Sequence, residues 1–153
     1  MSALQAYDAV VDRLKSLRKF DKVAQVEASQ PPGNGLYASI FFDDGATNTE
    51  LSTLGGTAAI GTSFVWQLRL YKNTSSQPGD SIDRTLIDAF DAVWSSLIAD
   101  HWLIPNTYQV DVLGAYGRRL DATSDYVDFG NNTLYRIIDV SVPIVATGVY
   151  NYG

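Results

Sequence analysis

The 153-residue chain carries 17 acidic against 11 basic side chains, a formal net charge of −6, and no cysteine. That length suits one domain with a core able to fold unaided, and the missing thiols exclude disulfides, thiolate catalysis and cysteine-held zinc. The acidity argues against a grip on phosphate backbones, which needs clustered Lys and Arg, and no run of about 18 uncharged apolar residues is present to cross a membrane.

The opening Met1-Ser2-Ala3-Leu4-Gln5 lacks the basic-then-apolar pattern of a signal peptide, so none is expected. The triplets Asn73-Thr74-Ser75 and Asn131-Asn132-Thr133 are accordingly read as chance matches to a glycosylation pattern. Residues 3–18 predict a helix, because Leu4, Tyr7, Val11, Leu14 and Leu17 recur at spacings of three and four. Ser2 and Gln5 have the spacing of a capping box at its start. Arg13, Lys15, Arg18, Lys19 and Lys22 place five of the eleven basic residues within ten positions. They suit the negative end of that helix's macrodipole, with a docking patch for an acidic partner as the alternative.

Residues 22–28 have the makings of a short strand, and Ser29-Gln30-Pro31-Pro32-Gly33-Asn34-Gly35 is a loop. Leu36 to Phe42, rich in aromatic and β-branched residues, predicts a strand that Asp43-Asp44-Gly45 ends. Residues 43–62 then form a long loop of Thr, Gly, Ala and Ser, with Leu51, Leu54 and Ile60 as its only apolar bulk. Loops of this length within a compact domain are either disordered or functional. The segment is read as an arm that orders against a neighbour, with a plain surface loop as the alternative.

Ser63 to Lys72 is the clearest strand: Phe64, Trp66, Leu68 and Leu70 alternate with Ser63, Gln67 and Arg69, which predicts one buried face. A second helix is expected from an Asp80 N-cap to about Asp100, with Asp83 in its first turn. Its broad apolar face comprises Ile82, Leu86, Ile87, Phe90, Val93, Trp94, Leu97 and Ile98. Tyr108 to Val112 alternates as a strand closed by Gly114-Ala115-Tyr116-Gly117. Tyr126 to Phe129 and Leu134 to Val145 flank Gly130-Asn131-Asn132-Thr133 as a hairpin. The tail from Tyr150 reads as loose. The order α-β-β-β-α-β-β-β groups strands rather than alternating them with helices. It predicts an α+β fold, a mainly antiparallel or mixed sheet with two helices on one face.

No catalytic constellation emerges. The one histidine, His101, ends the second helix, where a cation has a structural use, and no Gly-x-Ser-x-Gly elbow supplies a nucleophile. Asp121, Asp125 and Asp128 lack the spacing and closing glutamate of a calcium loop. Gly114-Ala115-Tyr116-Gly117 matches neither a P-loop nor a dinucleotide fingerprint. No catalytic, cofactor-binding or metal residue is assigned, and no cofactor is expected. The nine tyrosines and three tryptophans suit pleated surfaces and, for a minority, subunit contacts. Arg118 and Arg119, with Leu51, Leu54 and Ile60, are the residues expected at an oligomer or partner interface.

An ordered series of short signals resembles a family. Trp66-Gln67-Leu68-Arg69-Leu70-Tyr71-Lys72-Asn73 is followed by Pro78-Gly79-Asp80-Ser81-Ile82-Asp83 and by Asp91-Ala92-Val93-Trp94. Val110-Asp111-Val112-Leu113-Gly114-Ala115-Tyr116-Gly117 and Tyr135-Arg136-Ile137-Ile138-Asp139-Val140-Ser141-Val142-Pro143 complete it. Over roughly residues 3–147 the chain resembles the tail terminator proteins of long-tailed, siphovirus-type bacteriophages, especially those of actinobacteria. The resemblance implies a non-enzymatic virion protein: a homohexameric ring capping the head-proximal end of the tail tube. Such a ring stops tube growth and joins the tail to a head-side connector, with no membrane contact and assembly in the host cytoplasm. DNA would pass through the lumen without specific binding, and an acidic lumen would repel the duplex and let it slide; a basic lumen in the assembled ring would contradict that. Alternatives are another neck or tail protein (tail completion, head closure or tube protein), a carbohydrate-binding module, and, last, an enzyme using paired aspartates.

Overall fold

A computed structural model of the chain describes residues 3–54 and 57–152, and for 44–60 and 147–152 it describes the backbone without the side chains. The elements run α1 (Ala3–Ser16), β1 (Lys22–Ala24), β2 (Leu36–Leu54), β3 (Thr57–Asn73), α2 (Gly79–Ala99), β4 (Trp102–Ile104), β5 (Tyr108–Val110), β6 (Asp121–Asp128) and β7 (Leu134–Tyr152). The fold is α+β, as predicted, with two helices and a strongly curled, seven-stranded mixed sheet. Its order is β1-β2-β3-β7-β5-β4, with β6 sharing the β7 edge with β5. Only the three-residue β1 runs parallel to its neighbour.

Strand alternation builds the core. Trp66, Leu68 and Leu70 of β3 and Val140, Val142 and Ile144 of β7 point to one side. There they pack with Ala6, Val10 and Leu14 of α1 and Leu86, Ala89, Val93 and Leu97 of α2. Tyr7 ties α1 to the sheet, donating to the Ile40 carbonyl at 2.6 Å and meeting Trp66 edge-on at 5.2 Å. Leu4, predicted on the apolar stripe, is exposed instead, because Ala6 and Val10 take the inner face. Ile87 and Ile98 of α2 are likewise exposed, since Ile82, Leu86, Ala89, Val93 and Leu97 already fill the stripe facing the sheet. The predicted Ser2 capping box lies outside the described residues.

The helix ends differ from expectation. Pro78, not Asp80, holds the N-cap position of α2, and no side chain caps it. Asp80 lies within the first turn, and Asp83 sits further along, where its carboxylate accepts from Arg136 at 3.1 Å. Arg13 of α1 serves the end of α2 rather than its own helix. It donates to the carbonyls of Asp100 and Trp102 and to the Asp100 carboxylate. Lys19 pairs with Asp88 at 2.9 Å. Two of the five clustered cations are thereby used within the chain.

The other face of the sheet is covered too, against the single buried face predicted for β3. Tyr71, Tyr135 and Ile137 form a second buried cluster with Tyr37, Val127 and Phe129 around them. Tyrosine hydroxyls pin the 25–35 loop across it. Tyr135 donates to the Gly33 carbonyl at 2.6 Å and accepts its N–H at 2.9 Å, and Tyr71 accepts the Ala28 N–H at 3.4 Å. Gly33, at φ +122°, makes that approach possible, since a Cβ there would lie 2.7 Å from the Tyr37 hydroxyl. The polar residues of this face satisfy one another across β3 and β7: Ser141 bonds Gln67, and Arg69 binds Asp139 in a two-pronged pair at 2.7 and 3.2 Å.

Candidate functional site: the arm and its base

The segment predicted as a loop is sheet. The β2–β3 ladder runs on past the core through Thr47↔Ser63, Thr49↔Gly61 and Glu50↔Ile60 to Leu54↔Thr57. β7 accompanies it, with Thr147 opposite Gly61 and Tyr152 opposite Ala58, so the tail predicted as loose is a strand as well. Between the strands of this extension the inward-facing backbone groups are satisfied by ladder pairing. At about 3.3 Å per residue, the ten steps from Asp44 to Leu54 reach about 33 Å.

The physical reason for the error is visible in the register. Bulges fall between Phe42 and Asp44, Asp44 and Thr47, and Glu50 and Ser52. A bulge absorbs an Asp-Asp-Gly sequence that would otherwise stop a strand, and it turns the ladder more sharply. Beyond it the strands need no apolar alternation, and β-branched threonine carries the β preference.

The arm has an unpaired margin. β1 covers β2 only at Tyr37, Ala38 and Ser39, so from Ile40 to Leu54 that strand has one neighbour among the described residues. On the far side, β5 covers β7 only at Ile144 to Ala146, and the strand beyond pairs with β3 alone. An open margin of this length is a template for another chain.

Of the predicted interface residues, Leu51, Leu54 and Ile60 fall on the arm's strands, Ile60 opposite Glu50 and Leu54 opposite Thr57; their side chains lie outside the described residues. Arg118 and Arg119 come to the arm's base. With Asp43, Val65, Asp121, Ser141 and Pro143 they line a cavity of about 280 Å³ where β2 enters the arm. Two arginines and two aspartates line it, so the cavity is balanced in charge rather than an unopposed anion site.

The turn carrying those arginines is braced by a residue that sequence reasoning passed over. Asp111 is buried, and its carboxylate accepts the N–H groups of Gly114, Ala115 and Tyr116 at 3.1, 2.9 and 2.9 Å. Gly114 sits at φ +79°, a left-handed conformation that suits glycine. The signal in the sequence was an aspartate three residues before a glycine, the pattern of a side-chain-capped turn.

The residues weighed for chemistry are dispersed. Asp121 and Asp128 stand at opposite ends of β6, seven residues or about 23 Å apart, too far to share one ion. Among the described residues no group of three His, Cys, Asp or Glu is placed to hold a metal. His101 is half-buried beside Trp102, with ring centroids 5.9 Å apart. Tyr71, Tyr108 and Tyr135 are buried in the fold rather than displayed. Among the described residues no helix is long and apolar enough to cross a membrane. No known protein-family model matches the chain, and no curated protein is significantly similar to it.

Proposed function

We propose that this chain is a structural, ring-forming assembly protein that acts as a tail terminator, capping a phage tail tube and offering the head-side connector a docking surface. The observation that supports it best is the arm. Past Ile40, whose carbonyl accepts from Tyr7, the β2 margin runs to Leu54 without a second strand neighbour among the described residues. Of the devices by which monomeric proteins blunt such margins, β2 carries three bulges and the charges of Asp43, Asp44 and Glu50, but no proline and no second covering strand among the described residues. A strand left bare in this way is suited to a neighbouring subunit or to the last ring of the tube. The sequence resemblance to tail terminators gives the specific role, in which the partners are further copies of the chain, the tube protein and the connector.

Native mass spectrometry across concentration tests the proposal. The expected result is a discrete closed oligomer, a hexamer on the family resemblance, that grows with concentration at the expense of monomer. Open-ended polymers formed by the protein alone would favour a tube protein instead. A strict monomer at every concentration that also binds no tail tubes would remove the assembly reading and direct attention to glycan binding.

A further inference from the structure

The loop that Tyr135 pins carries chemistry of its own. Asn34-Gly35 is the only asparagine–glycine step in the sequence. Asparagine is among the thermolabile residues, because the backbone nitrogen of the next residue can attack its side-chain amide carbon. A glycine in that next position puts no side chain in the way of the attack.

The fold leaves the nucleophile free and orients the group it attacks. The chain bends at both residues, and Asn34 is exposed. The Gly35 N–H has no hydrogen-bond acceptor among the described residues, although the next N–H, that of Leu36, is held by the Asp21 carboxylate at 2.8 Å. Asn73 Nδ2 donates to Asn34 Oδ1 at 2.9 Å. The Asn73 amide is itself fixed, since its Oδ1 accepts the Ser75 N–H at 3.0 Å, which sets the end that faces Asn34. A donor on Asn34 Oδ1 stabilises the negative charge that this oxygen gathers as the nitrogen adds.

The glycine is imposed by the fold. A Cβ on Gly35 would run into the Asp21 carboxylate, which is committed to the start of β2. The contact that begins the strand therefore also selects the residue that makes the step labile.

We infer that Asn34 is a self-modification site of the folded chain, with Asn73 as its positioning residue. The Gly35 nitrogen gives its proton to solvent hydroxide and bonds to Asn34 Cγ. The bond from Cγ to the side-chain nitrogen breaks, and ammonia leaves with a proton from water. Water then opens the cyclic imide at either carbonyl, giving aspartate or isoaspartate at position 34. In isoaspartate the free carboxylate is the former Asn34 backbone carbonyl. Lys72, a buried residue, already donates to that oxygen from Nζ at 2.8 Å. Its ammonium draws water to that carbonyl and pairs with the carboxylate formed, so isoaspartate is the favoured product.

The test incubates the folded full-length chain at mildly alkaline pH beside the same chain unfolded in urea. Peptide mapping follows the products, and hydroxylamine traps the imide by cutting the chain between Asn34 and Gly35. The folded chain is expected to convert at Asn34 ahead of every other asparagine, with a larger isoaspartate fraction than the unfolded chain gives. Asn73→Asp keeps the acceptor for Ser75 and removes the donor to Asn34. It should slow the folded reaction at least about threefold, well short of the about 100-fold known for a donor in a water-excluded site, and leave the urea rate unchanged. Asn73→Ser, too short to reach Asn34, should do the same, so the result does not hang on one variant's folding. An Asn34 that stays intact in the folded chain while the unfolded chain converts would overturn the inference, because the fold would then protect the step. Equal rates in the folded parent and both folded variants would overturn the role of Asn73. An isoaspartate fraction no larger than in urea would overturn that of Lys72.

Discussion

Replacing residues 46–61 by a two-residue turn, together with removing residues 148–153, is expected to leave a folded protein that no longer assembles. The two helices and the inner faces of β2, β3 and β7 make the main core, and among the residues whose side chains are described its buried members run toward the arm as far as Ile40, Trp66 and Ala146. The shortened hairpin keeps the Leu36↔Lys72 to Phe42↔Trp66 ladder and the whole of the β6–β7 pairing. Strands that pair only with one another add little to the stability of the layers beneath. The melting temperature should therefore stay within about 5 °C of the parent, a change of about 1–2 kcal/mol for a chain of this size. Self-association should fall at least about 100-fold, because the open margin of β2 is removed with the arm. Circular dichroism and native mass together read both effects. An unfolded variant would mean that the arm belongs to the core, and a folded variant that still forms the parent oligomer would mean that assembly uses another surface.

The second large effect concerns Arg69. Burial by itself would lower its pKa, but the hydrogen bonds and charge of Asp139 more than offset that and hold the guanidinium above its ordinary value. The sign follows directly: a raised basic pKa stabilises the fold at every pH below the unfolded value and is lost only on rising through the folded one. No pH dependence is therefore expected from this group over the ordinary working range. Asp139→Ala should cost about 2–3 kcal/mol, since it leaves a cation largely buried between β2 and β7 with the half-exposed Glu27 at 3.0 Å and the Phe41 and Tyr71 rings in place of its paired carboxylate. This is less than for a fully buried pair, because about a fifth of each side chain still meets water. At about 2–4 °C per kcal/mol, the melting temperature should drop about 5–10 °C. The double variant Arg69→Met with Asp139→Leu should be less damaging than Asp139→Ala, because no unpaired charge remains. A double variant costing the sum of its parts would show that the pair contributes through packing rather than charge.

Where burial has a short period, the sequence was legible. The even positions of β3 and β7, the Ile82-Leu86-Val93-Leu97 stripe of α2 and the Asn131-Asn132 hairpin follow from local alternation and turn chemistry. Both asparagines adopt left-handed conformations, at φ 51° and 61°, as such a turn asks. β4 was missed because three residues carry no period to detect. The buried outer face of β3 was missed because its polar residues meet partners about seventy positions away: Gln67 with Ser141 and Arg69 with Asp139. Their need for one another cannot be read locally.

The arm failed for a different reason. Apolar alternation marks strands that cover a core, whereas the arm's strands are satisfied by hydrogen bonds to each other. Its remaining signals were threonine at 47, 49, 53 and 57 and the Gly55-Gly56 pair between Leu54 and Thr57, a composition suited to a two-residue hairpin connection. The juxtaposition of Arg118 and Arg119 with Asp43 was not legible at all, since it depends on the curl of the sheet. The exposure of Leu113 shares that dependence, because exposure is a property of the finished fold.

The most direct measurement of the central claim is tail-tube elongation from purified tube protein and initiating tips, followed by electron microscopy with and without this chain. The account predicts tubes that stop growing at sub-stoichiometric amounts of the chain and carry a ring at one end only. Tubes that lengthen unchecked, or that take the chain up along their whole length, would contradict it.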